Sequence, residues 1–213
     1  MYKALIFDFD YTLGDTTLSI AASINYALAR LGFPEHSVGE IKKTIGLSLD
    51  DAFRILTGVT DRAQEKLFFD YFQIKADEVM TNDARLYPHT ERLLRKWAKK
   101  YKIGIVSQKH RFRIVDILKK FGLEQEVAII IGNEDVAFEK PHPEGVLLAA
   151  ERLGAEKGAA LYVGDSAVDA ETALRAGIDF IAVLTGTTPR ETFEKYPHLM
   201  IAEDLRGVEE FLK

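Results

Sequence analysis

The chain has 213 residues, of which 47% are hydrophobic and 29% charged, so it is long enough for one sizeable core, or for a core with a small appended domain. Its 33 acidic and 28 basic residues give a formal net charge of −5, which disfavours a nucleic-acid surface and favours small ligands as partners. Cysteine is absent, which excludes disulfides, thiolate metal sites and a cysteine nucleophile, and fits a reducing cytoplasm.

The first segment, ALIFDFDYT, begins with four apolar residues and then places two carboxylates, Asp8 and Asp10, two positions apart. Such an apolar run is typical of a parallel strand that is buried on both faces. The two acids interrupt the run too early for the core of a signal peptide, and no apolar stretch approaches membrane-spanning length. We therefore expect a cytoplasmic protein that does not bind a membrane.

The next interval, residues 15–82, contains no strand-like run. Its patterns are helical, in TTLSIAASINYALARLGF, VGEIKKTIG, SLDDAFRILTG and DRAQEKLFFDYFQIKADEVM. The interval is too long for a crossover connection and too regular for a loop. We predict an all-helical cap domain at residues 15–82, inserted into a core domain formed by residues 1–14 and 83–213. Extra helices packed on the flank of the sheet are the alternative.

Short apolar runs and amphipathic helical segments alternate through the rest of the chain. With the first segment included, the predicted strands are Ala4 to Phe7, Ile103 to Val106, Val127 to Ile131, Ala159 to Val163 and Phe180 to Leu184. This alternation predicts an α/β fold, in which a doubly wound parallel sheet carries helices on both faces.

Polar residues stand at or after the carboxyl ends of four predicted strands, namely Asp8, Ser107, Lys140 and Asp165 in chain order. In a doubly wound sheet these ends share one edge, where ligands bind. Gathered carboxylates repel by about 4 kcal/mol per pair at roughly 4 Å and an effective dielectric of about 20, so they need a counter-ion or a shared proton. Mg²⁺ prefers oxygen ligands and substrate phosphates, while a lysine and a hydroxyl suit the remaining phosphate oxygens. The residue types therefore predict phosphoryl transfer.

Four segments resemble, in order, the four motifs of the haloacid dehalogenase superfamily of hydrolases. They are DFDYT at residues 8–12, VS at 106–107, KPHP at 140–143 and GDSAVD at 164–169. One such motif is weak, but four in order, each after a strand-like run, are specific. The resemblance covers nearly the whole chain and includes a helical cap after the first motif. It implies Mg²⁺-dependent hydrolysis of a small phosphorylated metabolite through an aspartyl phosphate.

The resemblance also assigns the two N-terminal carboxylates. Asp8 would be the nucleophile that attacks phosphorus. Asp10 would be the general acid toward the leaving alcohol and then the general base for the hydrolytic water. Residues two apart in an extended segment point the same way, so both carboxylates can address one substrate.

The remaining motif residues would bind the phosphoryl group and the metal. The phosphate-binding residues implied by the resemblance are Thr12, Ser107 and Lys140. The implied metal ligands are Asp8, the main-chain carbonyl of Asp10, Asp165 and Asp169, the last of which supports either the metal or the lysine. Ordinary structural roles stay open, since a serine after a strand often begins a turn and an aspartate can cap a helix.

Substrate specificity has three candidate residues. Tyr11 stands where the family usually has glycine, which puts in doubt the hinge into the cap and the shape of the leaving-group side. The segment IGLSL at residues 45–49 resembles the substrate loop of phosphoglycolate phosphatases, which adds Gly46 and Ser48.

Several alternatives to a phosphoglycolate phosphatase-like enzyme stay open. A pyrophosphatase or nucleotidase would share the core motifs. Phosphosugar mutases usually carry a histidine where this chain has Ile20, an arginine in place of Leu49 and a glutamate in place of Gly164. A signalling receiver domain lacks both the carboxylate pair on its first strand and a cap of this size, and an inert relative would use the phosphate site for binding alone. The physiological substrate and the oligomeric state, monomer or homodimer, are not fixed by the sequence.

Overall fold

The β-strands of the computed structural model, which describes residues 1–213, form two sheets. In chain order the strands are β1 Ala4–Phe7, β2 Gly14–Asp15, β3 Arg85–Leu86, β4 Lys102–Val106, β5 Ile129–Ile131, β6 Ala160–Gly164, β7 Asp179–Val183 and β8 Met200–Ala202. The large sheet has the order β5-β4-β1-β6-β7-β8, and all of its strand pairs are parallel. The doubly wound parallel sheet is therefore confirmed.

Five of the six strands of the large sheet were predicted, and the edge strand β8 was missed. This strand has only three residues, and two of them are half-buried, so it lacks the long apolar run that marks the central strands. The two-residue strands β2 and β3 were also missed, and they pair with each other. They lie where the chain passes between its two units.

Ten α-helices accompany the strands. They are α1 Thr17–Arg30, α2 Val38–Lys42, α3 Leu49–Thr57, α4 Arg62–Asp83, α5 Thr90–Trp97, α6 Arg111–Lys120, α7 Glu144–Arg152, α8 Ala167–Ala176, α9 Arg190–Phe193 and α10 Leu205–Phe211. Short 3₁₀ helices occupy Asn133–Asp135 and Lys157–Ala159. None of these helices combines the length and the apolar character that a membrane-spanning segment needs.

The chain divides into two units. The α/β unit comprises Met1–Gly14 and Leu86–Lys213, and the helical unit comprises Asp15–Arg85. The second boundary lies three residues beyond the predicted one, because α4 extends to Asp83 and β3 follows it.

In the α/β unit, successive residues of β1 point to opposite faces of the sheet. Ala4 and Ile6 belong to the core that includes residues of α7 and α8. On the other face Phe7 stacks on Trp97 of α5, with the ring centroids 5.5 Å apart. Burial on both faces explains why the central strands are apolar without alternation.

In the helical unit, α1 packs along α4, and both contribute to one apolar core. Phe53 of α3 lies at its centre, with its ring centroid 5.1 Å from that of Phe68 and 5.6 Å from that of Phe33. The helical pattern of the sequence thus corresponds to a small core within this unit.

Candidate active site

Asp8 lies directly after β1, where the parallel pairing continues for one more residue. Its N–H donates to the carbonyl of Val163 at 2.9 Å, which fixes the main chain at the end of the strand. The side chain is 8% exposed, and its Oδ1 lies 2.9 Å from the Nζ of Lys140. The structure therefore brings the residues of the first and third motifs into direct contact.

Asp169 binds the same lysine from the first turn of α8. Its Oδ1 lies 2.7 Å from the Nζ of Lys140 and accepts from the hydroxyl of Tyr162 at 2.6 Å. Its Oδ2 accepts from the hydroxyl of Ser166 at 2.6 Å and from the N–H of that residue at 3.1 Å. Both oxygens of Asp169 are thus engaged within the protein. Tyr162 was predicted only as an apolar residue of a strand, and no pattern in the sequence indicated its polar role.

Gly164 makes room for this arrangement. A Cβ built at this residue would lie 2.5 Å from the Cβ and Cγ of Asp169, closer than real Cβ contacts allow. Any side chain at residue 164 must therefore displace Asp169, and with it the contact to Lys140.

Asp165 lies at the end of β6, beside the first motif. Its Oδ1 accepts from the hydroxyl of Thr12 at 3.1 Å. The main chain of Gly186, in the loop after β7, comes so close that a Cβ there would overlap the carboxylate of Asp165. Thr12 and the β7 loop therefore confine this carboxylate from two sides. Gly186 was not among the predicted residues, because no motif marks the loop after the fifth predicted strand.

The carboxylates of Asp8, Asp165 and Asp169 form one buried cluster, in which one oxygen from each lies within 4.8 Å of the other two. Burial, and then the charges of Asp169 and Asp10, raise the pKa of Asp8 to about 7, although Lys140 lowers it. Burial and the neighbouring carboxylates raise the pKa of Asp165 well above its ordinary value. Three buried carboxylates thus share one lysine, and a second cation would relieve the remaining charge.

The pKa values of the other two members show how the charge is arranged. Burial opposes ionisation of Asp169, yet Lys140 and the hydrogen bonds from Ser166 and Tyr162 lower its pKa. Burial likewise opposes the charge of Lys140, but Asp169 and Asp8 raise its pKa well above the ordinary value. Asp169 and Lys140 therefore form an ionised buried pair, while Asp8 and Asp165 keep oxygen donors suited to a hard divalent cation.

The second carboxylate of the first motif, Asp10, has its own cationic partner. The Nζ of Lys109 lies 3.1 Å from its Oδ2. The N–H of Lys109 donates in turn to the hydroxyl of Ser107 at 3.3 Å. Lys109 was not predicted, because a single lysine after a strand is usually solvated. Its spacing of two residues from Ser107 was the available signal.

A small pocket that is open to solvent lies beside the lysine of the third motif. Its polar lining includes Ser107, Gln108 and Lys140, and the amide of Gln108 donates to the carbonyl of Lys140 at 3.0 Å. The predicted phosphate-binding residues Ser107 and Lys140 therefore line one pocket.

Tyr11 adopts the left-handed conformation, with φ of 61°, and its side chain is buried, at 2% exposed. A bulky residue in this region costs on the order of 1 kcal/mol or more and is held there by its surroundings. Its N–H donates to the carbonyl of Gly14 at 2.7 Å, and its carbonyl accepts from the hydroxyl of Thr185. The dihedral restriction expected for tyrosine is thus overcome by hydrogen bonds on both sides of the residue.

The other two specificity candidates belong to the helical unit. Gly46 has φ of 96°, which favours glycine, and lies between the bridged residues Ile45 and Leu47. Ser48 is the N-cap of α3, and its hydroxyl accepts from the N–H of Asp51 at 3.1 Å. Their contacts account for the local fold of the unit, and their part in specificity stays a prediction.

Residues 5–183 match the family model described as haloacid dehalogenase-like hydrolase. The chain therefore belongs to the haloacid dehalogenase-like hydrolases. A solved structure from Bacteroides fragilis, described as haloacid dehalogenase-like, is 40% identical with a TM-score of 0.93, covering 98% of this chain and 100% of that one.

Several relatives of this hydrolase are named phosphoglycolate phosphatase. The one from Xanthomonas campestris is 28% identical over 185 residues, covering 86% of this chain and 84% of its own. The one from Escherichia coli K12 is 28% identical over 210 residues, with coverage of 86% and 82%. The resemblance of the motifs to this family is confirmed.

Proposed function

We propose that this hydrolase is a Mg²⁺-dependent phosphatase that cleaves a small phosphomonoester through an aspartyl phosphate on Asp8. The observation that carries the proposal is the contact of Asp8 with Lys140 beside the buried carboxylate of Asp165. A buried carboxylate that is held in place by a cation is a suitable nucleophile toward phosphorus. Phosphoryl transfer needs little else from the protein than positioning and charge.

The reaction balances in two steps on the residues of the first motif. In the first, a carboxylate oxygen of Asp8 bonds to phosphorus while the bond to the ester oxygen breaks, and Asp10 donates a proton to that oxygen. In the second, water bonds to phosphorus while Asp10 accepts its proton, and the bond from phosphorus to Asp8 breaks. Inorganic phosphate leaves, and both carboxylates return to their initial states.

The other site residues hold the reacting groups. Lys140, fixed by Asp169, restrains Asp8 and presents positive charge to the phosphoryl oxygens. Ser107 lines the same pocket and supplies a hydroxyl donor. We assign Asp169 to positioning Lys140, because both of its oxygens accept hydrogen bonds within the protein.

The oxygen donors of Asp8 and Asp165, together with the main-chain carbonyl of Asp10, would hold Mg²⁺. Their buried, mutually repelling charges fit a hard divalent cation. When bound, the ion supplies charge compensation for the phosphoryl oxygens. Thr12 keeps Asp165 oriented through its hydrogen bond.

Phosphoglycolate is the first substrate that we propose, because it is the substrate in the names of the relatives from Xanthomonas campestris and Escherichia coli. A mutase is disfavoured by Gly164, since a side chain at this position would collide with Asp169. Pyrophosphate, nucleotides and sugar phosphates remain the competing substrates within the phosphatase proposal.

Phosphate release from a panel of phosphomonoesters, with pyrophosphate included for comparison, tests the proposal. We expect Mg²⁺-dependent release that is abolished by chelation and reduced by at least about 10³-fold in Asp8→Asn. Lys102→Met is the control. Lys102 is the first residue of β4, at the end of the strand opposite Ser107, and its ammonium donates to the carbonyl of Leu153. No release from any ester, or an undiminished rate in Asp8→Asn, contradicts the proposal and favours a binding role.

A further inference from the structure

The ion pair between Lys109 and Asp10 lies outside the charge cluster that surrounds Lys140. The Nζ of Lys109 and the Oδ2 of Asp10 are 3.1 Å apart, and their side chains are 4% and 13% exposed. A lysine so deeply buried costs desolvation, and a buried ion pair is weak evidence for a gain in stability. The pair therefore calls for a role other than stabilising the fold.

The local charges suggest that role. Asp10 lies two residues from Asp8, and its charge acts on the buried carboxylate of that residue. Like charges repel, so without a partner the carboxylate of Asp10 is driven away from Asp8, toward solvent. The ammonium of Lys109 attracts the carboxylate of Asp10. The main chain of Lys109 is itself held by the hydrogen bond from its N–H to the hydroxyl of Ser107.

We propose that Lys109 is a positioning residue that holds the carboxylate of Asp10 where it can exchange a proton with the ester oxygen and with water. This inference rests on the proposed function, in which Asp10 is the acid and the base. The lysine itself transfers no proton in this role, and it acts through the orientation of Asp10. Replacing it therefore slows the steps that need Asp10 and spares a step that does not.

Esters with different leaving groups distinguish the step that needs a proton from Asp10 from the step that does not. A dinitrophenolate ion leaves without a proton, whereas the alkoxide of phosphoglycolate needs one from a general acid. In single-turnover experiments with excess enzyme and Mg²⁺, we expect Lys109→Met to slow alcohol release from phosphoglycolate at least about 100-fold. Release of dinitrophenolate should fall less than about tenfold.

Further variants of Lys109 and a matched control complete the test. Lys109→Arg keeps the charge and should recover at least about a tenth of the wild-type rate on phosphoglycolate. In an Asp10→Asn background, Lys109→Met should add less than about threefold, because two residues that act as one unit are not additive. Lys102→Met is the matched control and should leave both rates unchanged, and Lys109→Gln replaces Lys109→Met if the latter does not fold.

The outcomes distinguish this inference from the proposed function. A selective loss on phosphoglycolate that is absent in the Asp10→Asn background supports the positioning role. Equal losses on both esters, or a full additional loss in that background, overturn the role while leaving the phosphatase intact. A wild-type protein that releases neither leaving group overturns the proposed function and this inference with it.

Discussion

Replacing Lys140 with methionine removes the one cation that contacts both Asp8 and Asp169. Its Nζ lies 2.9 and 2.7 Å from their Oδ1 atoms, and its side chain is only 6% exposed. Methionine fills nearly the same volume, so the main effect is electrostatic. Breaking a buried ion pair by removing one partner costs about 3–5 kcal/mol, and we expect the free energy of unfolding to fall by that amount at pH 8.

The loss of stability in Lys140→Met should depend on pH, and the titration of Asp8 determines the direction of that dependence. Its pKa of about 7 exceeds the ordinary value of 3.8, so between these pH values the folded state binds a proton that the unfolded state lacks. The contribution of Asp8 to stability therefore falls as pH rises through this window. Without Lys140 the pKa of Asp8 rises further, because a favourable charge is gone. The variant should thus be less impaired at pH 5, where the carboxylate is protonated.

Urea unfolding in the presence of a chelator, at pH 5 and pH 8, measures both effects. Lys102→Met controls for the loss of a lysine, since its ammonium binds only a carbonyl among the contacts described. A loss below about 1 kcal/mol at pH 8 would refute the reasoning, because this is the range of an exposed pair. An equal loss at pH 5 and pH 8 would also refute it.

Three more perturbations test separate parts of the site. Mg²⁺ should raise the melting temperature more at pH 8 than at pH 6. The reason is that protons compete with the ion for carboxylates whose pKa values are raised, such as those of Asp8 and Asp165. An increase of equal size at both pH values contradicts this expectation. Gly186→Ala should displace the Asp165 carboxylate and weaken Mg²⁺ binding at least about tenfold by calorimetry, and unchanged affinity argues against the close approach. Ser107→Ala should lower kcat by about 10- to 100-fold, whereas a loss below about tenfold favours a turn-forming role.

The sequence carried enough information to predict the central strands, because burial on both faces demands an unbroken apolar run. It also predicted the inserted helical segment, whose patterns are those of α1 to α4. The edge strand β8 was not predictable in the same way, since Met200–Ala202 is short and partly exposed. Two-residue strands such as β2 lie below the length at which periodicity has meaning.

The site was predictable where a residue type is demanded by the chemistry. Asp8, Lys140, Asp165 and Asp169 follow strand-like runs, and the fold places their side chains together. Contacts that depend on close approach between distant segments were missed. The main chain of Gly186 against Asp165 is one such contact, because no local pattern reports a neighbour that is distant in the sequence.

At Tyr11 the sequence indicated a difficulty that contacts in the tertiary structure resolve. Its φ of 61° favours glycine, and from the sequence alone a tyrosine here put the hinge into the cap in doubt. The hydroxyl of Thr185, which comes from the loop after β7, binds its carbonyl and supports the left-handed conformation. Such support is visible only once the tertiary structure is known.

Trapping of the covalent intermediate tests the central claim most directly. In Asp10→Asn, dinitrophenyl phosphate should still transfer its phosphoryl group, since its leaving group needs no acid, but the second step lacks its base. We expect labelled phosphate to accumulate on the protein, and peptide mass spectrometry to locate it on Asp8. Label on another residue, or full phosphate release with Asp8 replaced by asparagine, would contradict the account.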